Sequence, residues 1–456
     1  MAQSANQRVI VLTDIEADPD DTQSLVRFLL YANEIDIQGL IATTSCWMQN
    51  EIHPESIKRV LAAYEKVQPN LTKHSKGYPK AGELEALIKN GQSSYGMAAV
   101  GEAKDSEGSE WIIKKLEEND ERPLWISIWG GSNTLAQALH KIQRTRNKTE
   151  VKSLVSKLRV YTISDQDDSG IWIRNTFPDL FYIVSPGDDY GSATWTGIHT
   201  YFEGIDNTSI SNNWLAENIQ QGHGPLGAVY PDVAWGMEGD TPAFLSLIPN
   251  GLNDPEHPDW GGWGGRYELY KPDFNDKDGS SIVKPAPETR PIWTNAVDQY
   301  IPYVHNAYGR TIKQADQSQK NDKATIYRWR DEFQNDFAAR LDWTIQDYED
   351  CNHAPIPILS HSEILQVQSG DWVHLDALNT TDPDGDSFSF LWFHYPEAST
   401  YKKRINLGAE NIHKVGFRAP ETKQKEIIHI ILKVTDRGTP NLTAYKRVVL
   451  EVNPKS

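Results

Sequence analysis

Over its first 250 residues the chain alternates short apolar runs with polar loops and amphipathic stretches. Residues 9–12 (Val-Ile-Val-Leu) form an unbroken apolar run, read as a strand buried on both faces. After it, Asp20 or Asp21 is placed to cap a helix carrying Leu25, Val26, Leu29 and Leu30 at helical spacing. Residues 37–44 read as the next strand and residues 54–67 as an amphipathic helix. A third strand, 123–128, runs into Trp129-Gly130-Gly131-Ser132-Asn133 and then a helix over 134–140. Residues 159–163 repeat the pattern and end near Asp165, and residues 181–184 end before Pro186. Strand, polar loop and helix in repetition predict an open, mostly parallel α/β sheet with helices on both faces. Ligands of such sheets sit beyond the carboxyl ends of the strands, where each of these polar clusters falls.

The texture changes between residues 253 and 350, where Gly-Trp repeats give way to Pro- and Asp-rich sequence and a helical stretch over 325–341. His353-Ala354-Pro355-Ile356-Pro357 is a stiff extended linker, because each proline fixes its own φ and biases its predecessor away from helix. Alternating strands follow at 372–375, 388–393, 427–434 and 448–452, with turns at Asp384-Gly385 and Arg437-Gly438. The expectation is therefore an α/β domain over 1–350, with an irregular extension from 253, and an Ig-like β-sandwich over 353–456. In the strand 388–393, Phe390-Leu391-Trp392-Phe393 cannot all face one thin core, since a strand alternates faces. Packing against the α/β domain and a glycan-stacking face are the two accounts of the surplus.

Composition narrows the function classes. The 456 residues include 15 Trp and 19 Tyr at 38% hydrophobic content, which excludes a disordered chain. With 45 basic against 63 acidic side chains the formal net charge is −18, a poor match to a phosphate backbone, so no nucleic-acid partner is expected. No apolar stretch approaches a membrane span. The two cysteines, Cys46 and Cys351, are read as separate buried thiols, although one bridge is conceivable. The first residues have neither the basic nor the apolar region of a secretion leader. A Trp- and Asn-rich composition nearly free of Cys nonetheless suits an exported carbohydrate protein, secreted or periplasmic.

The densest chemistry lies in Thr13-Asp14-Ile15-Glu16-Ala17-Asp18-Pro19-Asp20-Asp21. Five carboxylates directly after a buried strand repel one another unless a cation sits among them, and an oxygen-only donor set favours Ca²⁺ or Mg²⁺ over Zn²⁺. The plain alternative is a solvated acidic loop with Asp20 or Asp21 as a cap. His199, His257 and the remaining histidines show no metal spacing, and no Gly-x-Ser-x-Gly elbow, Walker loop or dinucleotide fingerprint is present. Asp382-Pro383-Asp384-Gly385-Asp386 allows a second, structural Ca²⁺ or a simple Asp-rich turn.

These motifs resemble the nucleoside hydrolases, which open with an apolar strand and D-x-D-x-x-x-D-D; Asp14, Glu16, Asp20 and Asp21 match in position. Residues 39–44, the Trp129–Ala136 loop and Gly239-Asp240-Thr241-Pro242 are similar to later segments of that family. Residues 165–170, 238–242 and 260–266 look like the nucleoside-hydrolase-like proteins labelled cellulose-binding, which carry a C-terminal β-sandwich. The resemblance implies one Ca²⁺ held by Asp14, Glu16, Asp21, Asp240 and the carbonyl of Asn133. It puts the catalytic base at Glu16, where the family has Asp, with Asp14 and Asp20 beside it; Asp14 or Asp18 could take over a coordination position. It further implies a hydrolase acting on a glycosyl bond, with a carbohydrate-binding protein that has lost turnover and a true nucleoside hydrolase as the alternatives. The sugar ligands of the family are replaced, by Cys46-Trp47 and by Gly170-Ile171-Trp172-Ile173-Arg174-Asn175, which points to a glycan or glycoside rather than a nucleoside. The substrate-binding candidates are Trp47, Asp165, Asp168, Trp172, Arg174, Asn175, Glu238, Trp263 and Arg266. For two of them a packing role is the competing account: Trp172 as core and Arg174 as partner of a nearby Asp. For the Trp260–Arg266 loop, likewise, rigid packing competes with a sugar floor.

Overall fold

The structure, a computed structural model, describes residues 6–187, 190–273, 282–283, 286–305, 311–313 and 318–455. Its centre is an eight-stranded sheet of β1 (Gln7–Thr13), β2 (Ile35–Ala42), β3 (Ile88–Asn90), β4 (Leu124–Ile128), β5 (Leu158–Ser164), β6 (Phe181–Ser185), β7 (Tyr267–Tyr270) and β8 (Ile292–Asn295). The order across the sheet is β3-β2-β1-β4-β5-β6-β8-β7, and every pairing is parallel except β7 with β8. The apolar run of β1 is explained by its two buried faces. Val9 and Val11 point into one helical layer and Ile10 and Leu12 into the other. From β1 the chain moves outward to β2 and β3, then returns to place β4 on the other flank of β1. Such a reversal, here between β1 and β4, is where open α/β sheets place their ligands.

Helix α1 (Asp20–Leu30) starts within the acidic motif. Contrary to the capping expectation, Pro19 occupies the N-cap, and Asp20 and Asp21 are the first two helical residues, where carboxylates favour the positive end of the helix dipole. The extension after residue 253 is less irregular than its sequence suggests, since it supplies β7 and β8 to the main sheet. Both are only four residues long, too short for a periodic signal.

The C-terminal part is a β-sandwich. One sheet has the order Ile364–Gln368, Thr443–Asn453, Glu426–Asp436, Phe388–His394, and the other pairs Trp372–Asp376 with Lys414–Arg418. The parity of the strand Phe388–His394 accounts for its large side chains. Trp392 joins the sandwich's own core, whereas Leu391 and Phe393 face the α/β part, with Phe393 set 6.2 Å from Trp329. Tyr395, Ile431 and Tyr445 join the same core as the sheet's helices, so the two parts share buried surface.

In the Asp382–Asp386 turn three carboxylate oxygens are hydrogen-bonded, and Asp382 Oδ2 is buried without a hydrogen-bond partner. Asp382 Oδ1 accepts the N–H groups of Asp384 and Asp386, and Asp384 accepts the His353 N–H and ring Nδ1 at 2.7 and 2.9 Å. Cys46 and Cys351 form no disulfide.

Candidate active site

At the carboxyl end of β1, Asp14 leaves the sheet into a loop that returns as α1, so Asp14, Asp18, Asp20 and Asp21 converge. Carboxylate oxygens of Asp18, Asp20 and Asp21 lie within 4.8 Å of one another. Thr13 donates its hydroxyl to Asp21. Asp240 is brought in from a distant loop, and Gly239 N donates to Asp20 Oδ2 at 3.2 Å. On the other flank of β1, Gly130 follows β4. A Cβ there would lie 2.6 Å from Asp14 Oδ1, so the close approach requires glycine.

The carboxylates of this cluster raise one another's affinity for protons. Burial, reinforced by the charge of Asp18, pushes Asp14 up to about 6. Burial and mutual repulsion hold Asp20, Asp21 and Asp240 well above the usual carboxylate range. Asp240 Oδ2 is buried with no hydrogen-bond partner. Among the described residues, no Lys or Arg forms an ion pair with any of these five aspartates. A hard divalent ion fits this donor set, and Asp14, Asp18, Asp20, Asp21 and Asp240 are the residues that would hold it.

Glu16 is turned away from the cluster. It sits at φ 88°, its carboxylate is 41% exposed, and it pairs with Arg59 and accepts from Ser56. Asp18, not Glu16, fills the gap. Asn133 is fully buried at the first turn of the helix Asn133–Thr145, its side chain bonded to Thr43, Thr44 and Ser94. A helix start presents N–H groups, and that of Asn133 donates to Asp167 Oδ2 at 3.2 Å.

Several sugar-binding candidates prove to be packed pairs. Arg174 grips Asp165 through two bonds, 2.8 and 2.9 Å, and also Glu288, all three buried. Glu238 is buried against Arg27 Nε at 2.6 Å and takes hydrogen bonds from Tyr230 and Thr241. Arg266 binds Asp298 at 2.6 Å, and Trp263 is buried against Phe333 and Tyr445. Trp172 packs beside Phe177 and His140, Asn175 accepts from Thr289, and Asp168 accepts from Met97 N. Of the nine candidates, Asp165, Arg174, Glu238, Trp263 and Arg266 are buried in such contacts, Trp172 is half-buried, Asp168 and Asn175 are exposed, and Trp47 lies beside the acidic cluster. It is 51% exposed on the loop after β2, next to Ser45, which hydrogen-bonds Asp14.

The sequence reading missed the groups beside Trp47. Tyr190 accepts from the Trp47 indole N–H at 3.3 Å and stacks edge-on with Trp195 at 5.2 Å. Trp195 in turn touches His199 at 5.9 Å and abuts Gly239. His199 faces the Met237 carbonyl, and burial draws it down to about 4, leaving it neutral. Asp167, raised by burial to about 6, backs Gly131 and Asn133.

A crevice at the sheet's switch point, floored by aspartates from β1, α1 and a late loop, defines a nucleoside-hydrolase-like domain, here joined to a β-sandwich. The chain belongs to the family of the cellulose-binding protein Sde182. Residues 8–267 match the model of its nucleoside hydrolase-like domain, and residues 372–452 match the model of the Sde0182 C-terminal domain. A solved structure, a nucleoside hydrolase-related hypothetical protein from Saccharophagus degradans associated with carbohydrate metabolism, is 37% identical with a TM-score of 0.82. That match covers 98% of this chain and 100% of the other. The effector protein XOO4466, at 8% identity and a TM-score of 0.35 over 64% of this chain and 88% of its own, is too distant to bear on fold or function. No curated protein matches the chain. No helix among the described residues is long and apolar enough to cross a membrane.

Proposed function

We propose that the protein is an exported hydrolase that cleaves a glycosidic bond in a glycan or glycoside at the acidic crevice. The observation that carries this is the set of five converging aspartates with no protein cation among them, open to an aromatic wall. A Ca²⁺ ion held there supplies the positive charge that orients sugar hydroxyls and makes water easier to deprotonate. With Glu16 engaged by Arg59, the proton acceptor is Asp14, which leaves the carboxyl end of β1 directly into the carboxylate cluster. The water oxygen bonds to the anomeric carbon as the glycosidic C–O bond breaks, its proton passes to Asp14, and the leaving oxygen is reprotonated from solvent. The surrounding carboxylates stabilise the positive charge that develops on the ring. The carbohydrate partner accords with the cellulose-binding name of the family.

A screen of polysaccharides and aryl glycosides for released reducing sugar, run with Ca²⁺ and with EDTA, tests this. Release that EDTA abolishes is expected; a chain that binds glycan but releases nothing would be a binding protein. That second reading is favoured by one feature, the diversion of Glu16 to Arg59. Glu16→Gln separates the two assignments of the base: activity within about threefold of wild type is expected, and a loss of about 100-fold or more would return the role to Glu16. Inosine and uridine should be poor substrates, with kcat/KM well below the ~10⁴ M⁻¹s⁻¹ typical of enzymes on their own substrates. Free base released faster than that would make the protein a nucleosidase.

A further inference from the structure

Trp235 has no structural reason to be where it is. It is 94% exposed and its φ is +69°, a left-handed conformation that costs a bulky residue of its kind energy. Its loop is not loose. Ala234 and Gly236 bridge across it, a Cβ at Gly236 would meet the His199 ring at 2.7 Å, and the Met237 carbonyl faces that ring at 3.1 Å. One residue further, Glu238 is locked to Arg27 in the core, and two beyond that stands Asp240 of the acidic cluster. A rigid loop anchored in the site therefore displays an indole to solvent, at a conformational cost that packing does not repay. Trp47 is the other exposed indole of this region, and the two are joined by a line of rings. Trp47 and Tyr190 lie 6.4 Å apart, Tyr190 and Trp195 5.2 Å, Trp195 and His199 5.9 Å, and the His199 ring lies against Gly236. Tyr201, 71% exposed, lies two residues beyond His199.

We infer that Trp47 and Trp235 are stacking platforms for sugar units beyond the one at the carboxylates, and that the site takes a neutral oligosaccharide chain rather than a single glycoside. Flat indole faces pack on the axial C–H surfaces of equatorially substituted pyranoses, of which β-1,4-linked glucose is the simplest, while their edges stay wet. A chain without charge also suits a site floored by aspartates, where Arg174 and Arg266 are buried in ion pairs and Arg59 is engaged by Glu16. This rests on the reading that the carboxylates meet a sugar, and adds what lies on either side.

The test is titration of the calcium-loaded full-length protein with cellobiose and cellohexaose, followed by tryptophan fluorescence and calorimetry. Wild type should bind cellohexaose at least about tenfold more tightly than cellobiose. Trp235→Ala and Trp47→Ala should each remove about tenfold of the hexaose affinity, with little effect on cellobiose. Trp235→Tyr should restore most of it, because a ring suffices. Calcium affinity, unchanged in these variants, certifies that the site is intact. Equal affinity for the two ligands in wild type, no binding of either, or hexaose affinity indifferent to both substitutions would overturn the inference. Calcium-dependent cleavage of short glycosides that persists alongside such a failure would leave the hydrolase reading standing. Length-dependent binding without any cleavage would sink the hydrolase reading and keep this one.

Discussion

Asp240→Ala is expected to lower calcium affinity by about 100-fold or more and to erase the thermal stabilisation that calcium gives the wild type. Asp240 is the one carboxylate of the cluster that arrives from outside the β1–α1 loop, and its Oδ2 is buried with no hydrogen-bond partner. Calorimetric titration of chelator-treated protein should show one tight site in wild type. With calcium at 1,000 times its dissociation constant the gain in stability is about 4 kcal/mol. The metal-free protein should also respond to pH in an unusual direction. Burial pushes Asp14 up to about 6 in the folded state, and Asp20, Asp21 and Asp240 are held well above their unfolded values near 3.8. From about pH 4 toward 6 the folded chain holds more protons than the unfolded one, so stability falls as pH rises. Calcium should therefore stabilise more at pH 8 than at pH 5. A metal-free melting temperature that climbs over this range, or a wild-type calcium affinity retained by Asp240→Ala, would refute the site.

The second large effect is expected where the two halves of the chain meet. Asp298 is fully buried; Arg266 Nε donates to one of its oxygens at 2.6 Å, and Arg328 Nη1 and the Tyr395 hydroxyl to the other at 2.7 and 2.6 Å. Burial opposes its ionisation, yet the guanidinium groups of Arg328 and Arg266 hold its carboxyl below the usual range. Asp298→Ala would strand two buried cations and should destabilise the protein by about 3–5 kcal/mol in urea unfolding. Tyr395→Phe, which removes one hydrogen bond and no charge, should cost only about 1 kcal/mol. Comparable midpoint shifts in the two variants would show that the charge network is not what holds this junction. Deleting residues 353–456 would expose Trp263 and Trp329 where Phe393, Tyr395 and Tyr445 now cover them, and should leave the remainder prone to aggregate.

The elements read from sequence were those whose signal is local. The apolar run of β1, the carboxylates behind it and the heavy alternation of the strand Phe388–His394 each declare themselves within ten residues. Arg174 and Arg266 did not, because their fates depend on Glu288 and Asp298, 114 and 32 residues away. Trp263 likewise is claimed by Tyr445, 182 residues on. Glu16 was misplaced for a subtler reason: its position in the motif fits a ligand, but its positive φ and the nearby Arg59 on α2 (Pro54–His74) turn the carboxylate outward. Tyr190, Trp195 and Trp235 lie in a stretch of short 3₁₀ turns and loops with no periodicity to read, so only folding reveals that they border the cleft.

The buried pair of Arg27 and Glu238 ties α1, which begins with Asp20 and Asp21, to the loop that ends in Asp240. The spacing of the carboxylates is thus inherited from a contact that touches none of them. Grafting the Asp14–Asp21 loop onto another parallel sheet would transfer most of the carboxylates but not their register with the last one. A transplanted site would need the arginine, the glutamate and the turn between them as a single cassette.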